Sequence, residues 1–308
     1  MSEPLLRIGT RGSALALVQT AQVAAALAVS DPALAAPGAI ATVPIRTTGD
    51  KVQDRPVAEI GGKALFAREI EEALLDGRID IAVHSTKDLP TFLPQGLAIA
   101  AYLKREDPRD AFLSRRADSL EGLPRGAAVG TSSPRRTAQL LHERPDLKIV
   151  QMRGNVDTRV RKLDGGDYDA IVLALAGLKR LGLADRVTSI IPAEQMLPAP
   201  AQGAIALETR ADDNRAVDYC VAINHAETSI CVGAERAFLA VLGGDCRTPI
   251  AALARIDDGL FRFRAEILKP DGSARLAAAR DGEPREAILL ATDAGHDLVV
   301  RAGAGFFA

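Results

Sequence analysis

A chain of 308 residues, 47% hydrophobic and 25% charged, has the make-up of an ordinary globular protein, and its length favours two or three domains over one core. A formal net charge of −2 with only 4% aromatic residues excludes a basic field and offers few stacking platforms, which argues against a nucleic-acid partner. The start "MSEPLLRIGT" carries no basic segment before an apolar run, no stretch reads as a membrane span, and three cysteines (Cys220, Cys231, Cys246) lack CxxC spacing. A cytoplasmic protein without metal, disulfide framework or membrane partner is the expectation.

In chain order, "LLRIGTRGSALALVQTAQVAAAL" reads as an apolar strand, a Gly-Thr turn and a long helix opening near Ser13. "ATVPIRTTGD" is the next strand, and the unpatterned polar stretch "TTGDKVQDRPVAEIGGK" suits a mobile lid. "GGKALFAREIEEALLDG" predicts a helix with Phe66, Ile70, Ala73 and Leu74 on one face, and "IDIAVHS" a buried parallel strand. The layout then recurs. "AAVGTSSPRRTAQLL" echoes "RIGTRGSALAL", and "LDGGDYDAIVLALAGLKRLG" echoes "LDGRIDIAVHSTKDLP".

Alternating strands and helices predict two doubly wound α/β domains, of the kind solute-binding proteins share, facing each other across a cleft. Residues 1–103 with 204–221 form the first and 109–197 the second, with hinges in "LKREDPRD" and "MLPAPAQGA". From about Ala222 the rhythm becomes that of a small α+β domain, 222–308, with a helix in "AETSICVGAERAFLAVL" and strands in "TPIAALARI" and "LFRFRAEIL".

Cations gather where strands end: Arg11, Lys87, Arg135, Arg136, Arg153, Arg159, Lys179 and Arg180. Arg135 and Arg136 pose a puzzle, because Ser133 and Pro134 open a helix there and its N-terminal pole is already positive. One surface arginine would be an ordinary ion-pair partner. So many at strand ends point to a polyanion site. Asp88, in "HSTKDLP", is either a carboxylate set to stabilise a developing cation or a turn residue paired with Lys87; His84 reads as strand packing. Cys220 and Cys231 read as helical core residues. Cys246, in "GGDCRTPI", is either a reactive thiol favoured by Arg247 or a chance loop cysteine.

Together, "GTRGSALALVQ", "DIAVHSTKDLP", "REDPRDAF", "GTSSPRR", "RGNVDTRVRKL", "PAPAQGAIALE" and "GGDCRTPIA" resemble the porphobilinogen deaminases, also called hydroxymethylbilane synthases, in order and over nearly the whole chain. The resemblance implies head-to-tail condensation of four porphobilinogen molecules into hydroxymethylbilane with loss of ammonia. It implies a dipyrromethane cofactor joined by a thioether to Cys246, with Lys87, Ser133, Arg135 and Arg136 on its carboxylates. Arg11, Ser13, Lys63, Arg153, Arg159 and Arg180 then match substrate-binding positions, Asp88 matches the catalytic carboxylate, and a monomer is implied. Two departures stand out: Glu59 where a lid cation is common, and Asp245 beside the attachment cysteine. The strongest competing reading is a two-domain anion-binding protein without catalysis, which would need neither Asp88 among cations nor the cysteine turn.

Overall fold

The computed structural model describes residues 3–51, 66–243 and 248–306. The chain runs β1 (Leu6–Arg11), α1 (Ala14–Ser30), β2 (Ile40–Ile45), the single turn α2 (Thr48–Lys51), α3 (Arg68–Leu75), β3 (Ile81–Ser85) and β4 (Leu97–Tyr102). It continues through β5 (Asp110–Ser114), β6 (Ala128–Gly130), α4 (Pro134–Glu143), β7 (Lys148–Val150), α5 (Val156–Asp164), β8 (Ala170–Ala174), α6 (Leu175–Arg180) and β9 (Ser189–Ile190). Then follow β10 (Ile205–Arg210), α7 (Asn214–Ala222), α8 (Ala226–Val241), β11 (Ile250–Asp257), β12 (Leu260–Leu268), β13 (Arg275–Gly282) and α9 (Ala287–Ala302).

The chain divides into two compact units, residues 1–106 with 204–229 and residues 107–203 with 230–308. The breaks at 106/107 and 203/204 fall inside the two proline-containing segments read as hinges. The first unit holds a five-stranded sheet of order β2-β1-β3-β10-β4, the second a five-stranded sheet of order β7-β6-β8-β5-β9 and a three-stranded sheet β11-β12-β13. In each five-stranded sheet the first three strands are parallel, and the fourth runs against them. The expected architecture, two doubly wound α/β sheets and a smaller α+β portion, is the one found.

The repeat in layout has a physical basis. Asp80, just before β3, accepts from the amide of Arg7 at 2.8 Å and donates its own amide to Arg7 O at 2.9 Å. Asp169, just before β8, does the same with Ala128, at 2.8 and 2.9 Å. One residue earlier stands the side chain that fills the space under the glycine of the Gly-Thr turn. A Cβ on Gly9 would sit 2.2 Å from Ile79 Cδ1, and one on Gly130 2.9 Å from Tyr168 Cδ1. Glycine is required at both places because a neighbouring side chain already occupies the space.

Side chains from both faces of the second unit's strands are buried. Phe112, Val129, Leu140 and Val172 pack in one cluster, and Leu113, Met152, Val160, Ile171 and Leu173 in another. That two-sided burial is why "AIVLA" reads as an unbroken apolar run. In the first unit Leu6, Ile8, Val23, Leu27, Ile81, Val83, Leu207 and Cys220 make the core. The small sheet packs on Phe238 and α9, with Phe238 edge-on to Phe263 at 5.3 Å between ring centres. Its third strand and the last helix were not foreseen. Cys220 and Cys231 are buried as expected, and burial pushes the Cys220 thiol up to about 12. Of the predicted helix over 61–77, the described part is α3, with Ile70, Ala73 and Leu74 buried. The proposed lid beyond residue 51 lies outside the described residues up to residue 66. Among the described residues, no helix is long and apolar enough to cross a membrane.

Candidate active site

Because β1, β2 and β3 are parallel, the segments that leave their carboxyl ends lie along one edge of the first sheet. Arg11 ends β1, and Ser13 caps α1 by accepting from Ala16 N at 3.3 Å. Arg11 Nη2 meets Asp50 Oδ1 at 2.5 Å, each side chain about a fifth exposed, and its guanidinium lies 4.2 Å from the centre of the Phe66 ring. Burial works against ionisation of Asp50, but hydrogen bonds from Arg11 and Thr47 outweigh it and hold the carboxyl below its usual range.

After β3 the chain makes a single 3-10 turn, Thr86–Asp88. Thr86 fixes it, since both its amide and its hydroxyl donate to Ala204 O, at 3.1 and 3.0 Å. Ser85 Oγ donates to Gln19 Oε1 at 3.0 Å, which ties the strand end to α1. Lys87 and Asp88 are half-buried. Among the described residues no hydrogen bond or ion pair of the Asp88 carboxylate is seen. His84 is buried, as strand packing implied, with Nε2 3.0 Å from Glu208 Oε2.

In the second unit the arginine puzzle has an answer. Asp110, at the start of β5, is wholly buried, and Arg135 and Arg136 are only 4% and 6% exposed. Arg136 Nη2 lies 2.7 Å from Asp110 Oδ1, and Arg135 Nη1 lies 2.8 Å from Oδ2 as an ion pair off the hydrogen-bonding direction. Gln202 Nε2 donates to Asp110 Oδ1 at 2.8 Å and to Pro108 O at 2.7 Å. Arg135 Nη1 also donates to Leu197 O at 2.8 Å. Burial opposes the Asp110 charge, and the two guanidiniums overcome it, holding the carboxyl well below the usual range; burial lowers the pKa of Arg135. The resemblance gave these arginines to cofactor carboxylates; the structure also buries them around Asp110, a carboxylate the sequence reading did not single out.

The remaining cations stand at the carboxyl ends of β7 and β8. Arg153 follows β7 and is half-buried; Arg159, in the first turn of α5, donates Nε to Gly154 O at 2.8 Å. Arg180, ending α6, donates Nη2 to Gly203 O at 2.8 Å. Ser133 caps α4, its Oγ accepting from Arg136 N at 3.4 Å ahead of Pro134. Within the first unit, Arg11, Ser13, Lys87 and Asp88 share an edge. Within the second, Ser133, Arg135 and Arg136 follow β6 and Arg153 follows β7, while Arg159 and Arg180 lie on α5 and α6. Lys63, Cys246, Glu59 and Asp245 lie outside the described residues. Asp110 and Gln202 went unnoticed, although "REDPRDAF" and "PAPAQGA" contain them.

The family model for the porphobilinogen deaminase dipyromethane cofactor binding domain matches residues 6–218, and that for the porphobilinogen deaminase C-terminal domain matches residues 229–299. The chain belongs to the porphobilinogen deaminase family. It is 52% identical to the porphobilinogen deaminase of Nitrobacter hamburgensis over 98% of this chain and 95% of that one. The Paracoccus denitrificans porphobilinogen deaminase is 52% identical over 98% and 96% of the two chains. The chloroplastic porphobilinogen deaminase of Oryza sativa is 51% identical over 98% of this chain and 86% of its own. A periplasmic substrate-binding protein of an ABC transporter from Coxiella burnetii overlaps 71% of this chain and 91% of its own at 17% identity and a TM-score of 0.44, a likeness too slight to decide anything.

Proposed function

We propose that this chain condenses four porphobilinogen molecules head to tail into hydroxymethylbilane, with loss of ammonia at each step, in tetrapyrrole biosynthesis. One observation carries the mechanism: Asp88 is a half-buried carboxylate on a pinned turn, without a protein partner among the described residues. Loss of ammonia from an aminomethylpyrrole leaves a cation shared with the ring nitrogen. A fixed carboxylate beside that N–H stabilises the charge as it develops, so its contribution falls on the transition state. Asp88 would take this role.

A dipyrromethane group carries several carboxylates, and the donor set of the second unit fits them. Two guanidiniums share one carboxylate at Asp110, and Arg135 Nε is buried without a hydrogen-bond partner among the described residues. Arg135, Arg136, Ser133 and Lys87 would hold the group, and Cys246 would anchor it as a thioether. When bound, it supplies the free pyrrole carbon on which the first substrate unit is added. Arg11, Ser13, Lys63, Arg153, Arg159 and Arg180 would take the acetate and propionate groups of incoming pyrroles, since guanidinium matches carboxylate in paired geometry. We further propose that 222–308 acts as the cofactor-carrying domain, beside α/β domains of 1–103 with 204–221 and 109–197. A cytoplasmic monomer completes the reading.

Purified protein supplied with porphobilinogen should release one ammonia per pyrrole consumed and give a linear tetrapyrrole. Binding of porphobilinogen without ammonia release would instead favour a non-catalytic anion-binding protein.

A further inference from the structure

Among the described residues, Asp258 and Ala201 are the non-glycine residues with left-handed backbone, at φ 53° and 62°. Asp258 needs no support from outside: with Gly259 it makes the two-residue turn between β11 and β12, a geometry that aspartate tolerates. Ala201 is different. It is 2% exposed, in the loop before β10, and its Cβ is strained there with no polar side chain to compensate. Such a residue persists only where its surroundings over-determine it.

The group that does so is Glu235, on α8 and 0% exposed. Its Oε2 accepts from Ala201 N at 2.5 Å, and its Oε1 accepts from Ala254 N, on β11, at 2.8 Å. One buried carboxylate thereby joins a helix, a strand and the strained residue. The mechanism makes no use of it. Three residues before Ala201 the same loop is tied to β11 again, Pro198 O accepting from Ala252 N at 3.1 Å.

On its other side the loop meets the cations of the second unit. Leu197 O accepts from Arg135 Nη1 at 2.8 Å and from Gln139 Nε2 at 3.0 Å. Gln202, 1% exposed, donates Nε2 to Asp110 Oδ1 at 2.8 Å, and Gly203 O accepts from Arg180 Nη2 at 2.8 Å. Ala201 stands between these anchors, so its backbone angle decides whether Gln202 and Gly203 reach Asp110 and Arg180 while Leu197 stays on Arg135. Relaxation of Ala201 to a right-handed conformation would re-aim both. We propose that Glu235 is a positioning residue for the cofactor-binding arginines: it holds Ala201 left-handed and so keeps Gln202 on Asp110, whose carboxylate fixes Arg135 and Arg136. This rests on the role given to those arginines.

The test compares wild type, Glu235→Gln, Ala201→Gly and the double variant, each as the full chain. Glutamine is nearly isosteric but accepts with one oxygen only, so one of the two amides loses its partner. Glycine enters the left-handed region freely, so Ala201→Gly removes the need for the clamp and alone should match wild type. In Glu235→Gln, amide hydrogen exchange of residues 202–204 should speed up about tenfold, and the share of molecules carrying a two-pyrrole mass increment should drop about fivefold or more. The double variant should recover most of both. A general loss of stability would not be restored by glycine, which weakens unstrained backbone. Exchange and increment unchanged in Glu235→Gln, or changed equally in the double variant, would overturn the inference. Should Glu235→Gln fail to fold, a folded double variant with wild-type exchange would support it, and an unfolded one would overturn it. No increment in any of the four proteins, with exchange as expected, would uphold the clamp on Ala201 and count against the cofactor reading instead.

Discussion

The first parallel strand of both five-stranded sheets ends in Gly-Thr, and the helix that follows is capped by a serine, Ser13 or Ser133. From this shared frame the two sheets treat their arginines differently. Arg11 meets Asp50 in a pair about a fifth exposed, where solvent screens the charge and the contact can be exchanged for a ligand at small cost. Arg135 and Arg136 close on Asp110 out of solvent, where neither partner can leave without stranding a charge. One sheet edge therefore holds a partly exposed pair at Arg11 and a half-buried carboxylate at Asp88, while the other holds a buried cluster of two guanidiniums on Asp110. A catalyst that must accept successive acidic units has use for both kinds of site.

The sharpest way to break this contrast is at the two aspartates that have opposite tasks. Asp88→Asn should lower kcat by about 100-fold to 1,000-fold, the range for losing a preorganised charge, with the melting temperature unchanged. Substantial residual turnover would remove Asp88 from the chemistry. Asp110→Asn should cost about 3–5 kcal/mol in urea unfolding, because two buried guanidiniums lose their counter-charge. Asp50→Asn, its counterpart in the first sheet, should cost less than about 1 kcal/mol. Equal losses at the two positions would erase the distinction between a locked and an adjustable pair. Gly130→Ala should cost about 1–3 kcal/mol as Tyr168 is forced aside, and Gly9→Ala a similar amount against Ile79. Smallest of all, Ser133→Ala should cost about 1 kcal/mol through the lost cap, visible as a shift in the urea midpoint at constant slope.

Much of the architecture was legible because the inner strands β1, β3 and β8 are buried on both faces and read as apolar runs between Gly-rich turns. The doubled layout was legible for the same reason: the Gly-Thr turns and the Ile-Asp and Tyr-Asp pairs before β3 and β8 are local features. What escaped was long-range. Asp110 lies 25 residues before Arg135 and Gln202 lies 67 after it, and nothing local to either signals that β5 and the loop before β10 converge on one helix end. The burial of Arg135 and Arg136 was missed for that reason, since an arginine reads as exposed until its carboxylate is found. Glu71 was hidden differently. It is one of four charged residues among the eight of α3, and its burial is set by the fold and not by the local pattern. The strand Arg275–Gly282 went unseen because "RLAAARDG" is too rich in alanine and charge to carry a strand signal.

The proposed tether of an acidic oligopyrrole to the Cys246 sulfur is tested most directly by intact mass. Native protein should be heavier than its bare polypeptide by two pyrrole units carrying their acetate and propionate arms, and Cys246→Ser should show the bare mass. Brief exposure of the native protein to porphobilinogen should add a ladder of further single pyrrole increments. A native mass equal to that of the polypeptide, or an increment that persists in Cys246→Ser, would contradict it.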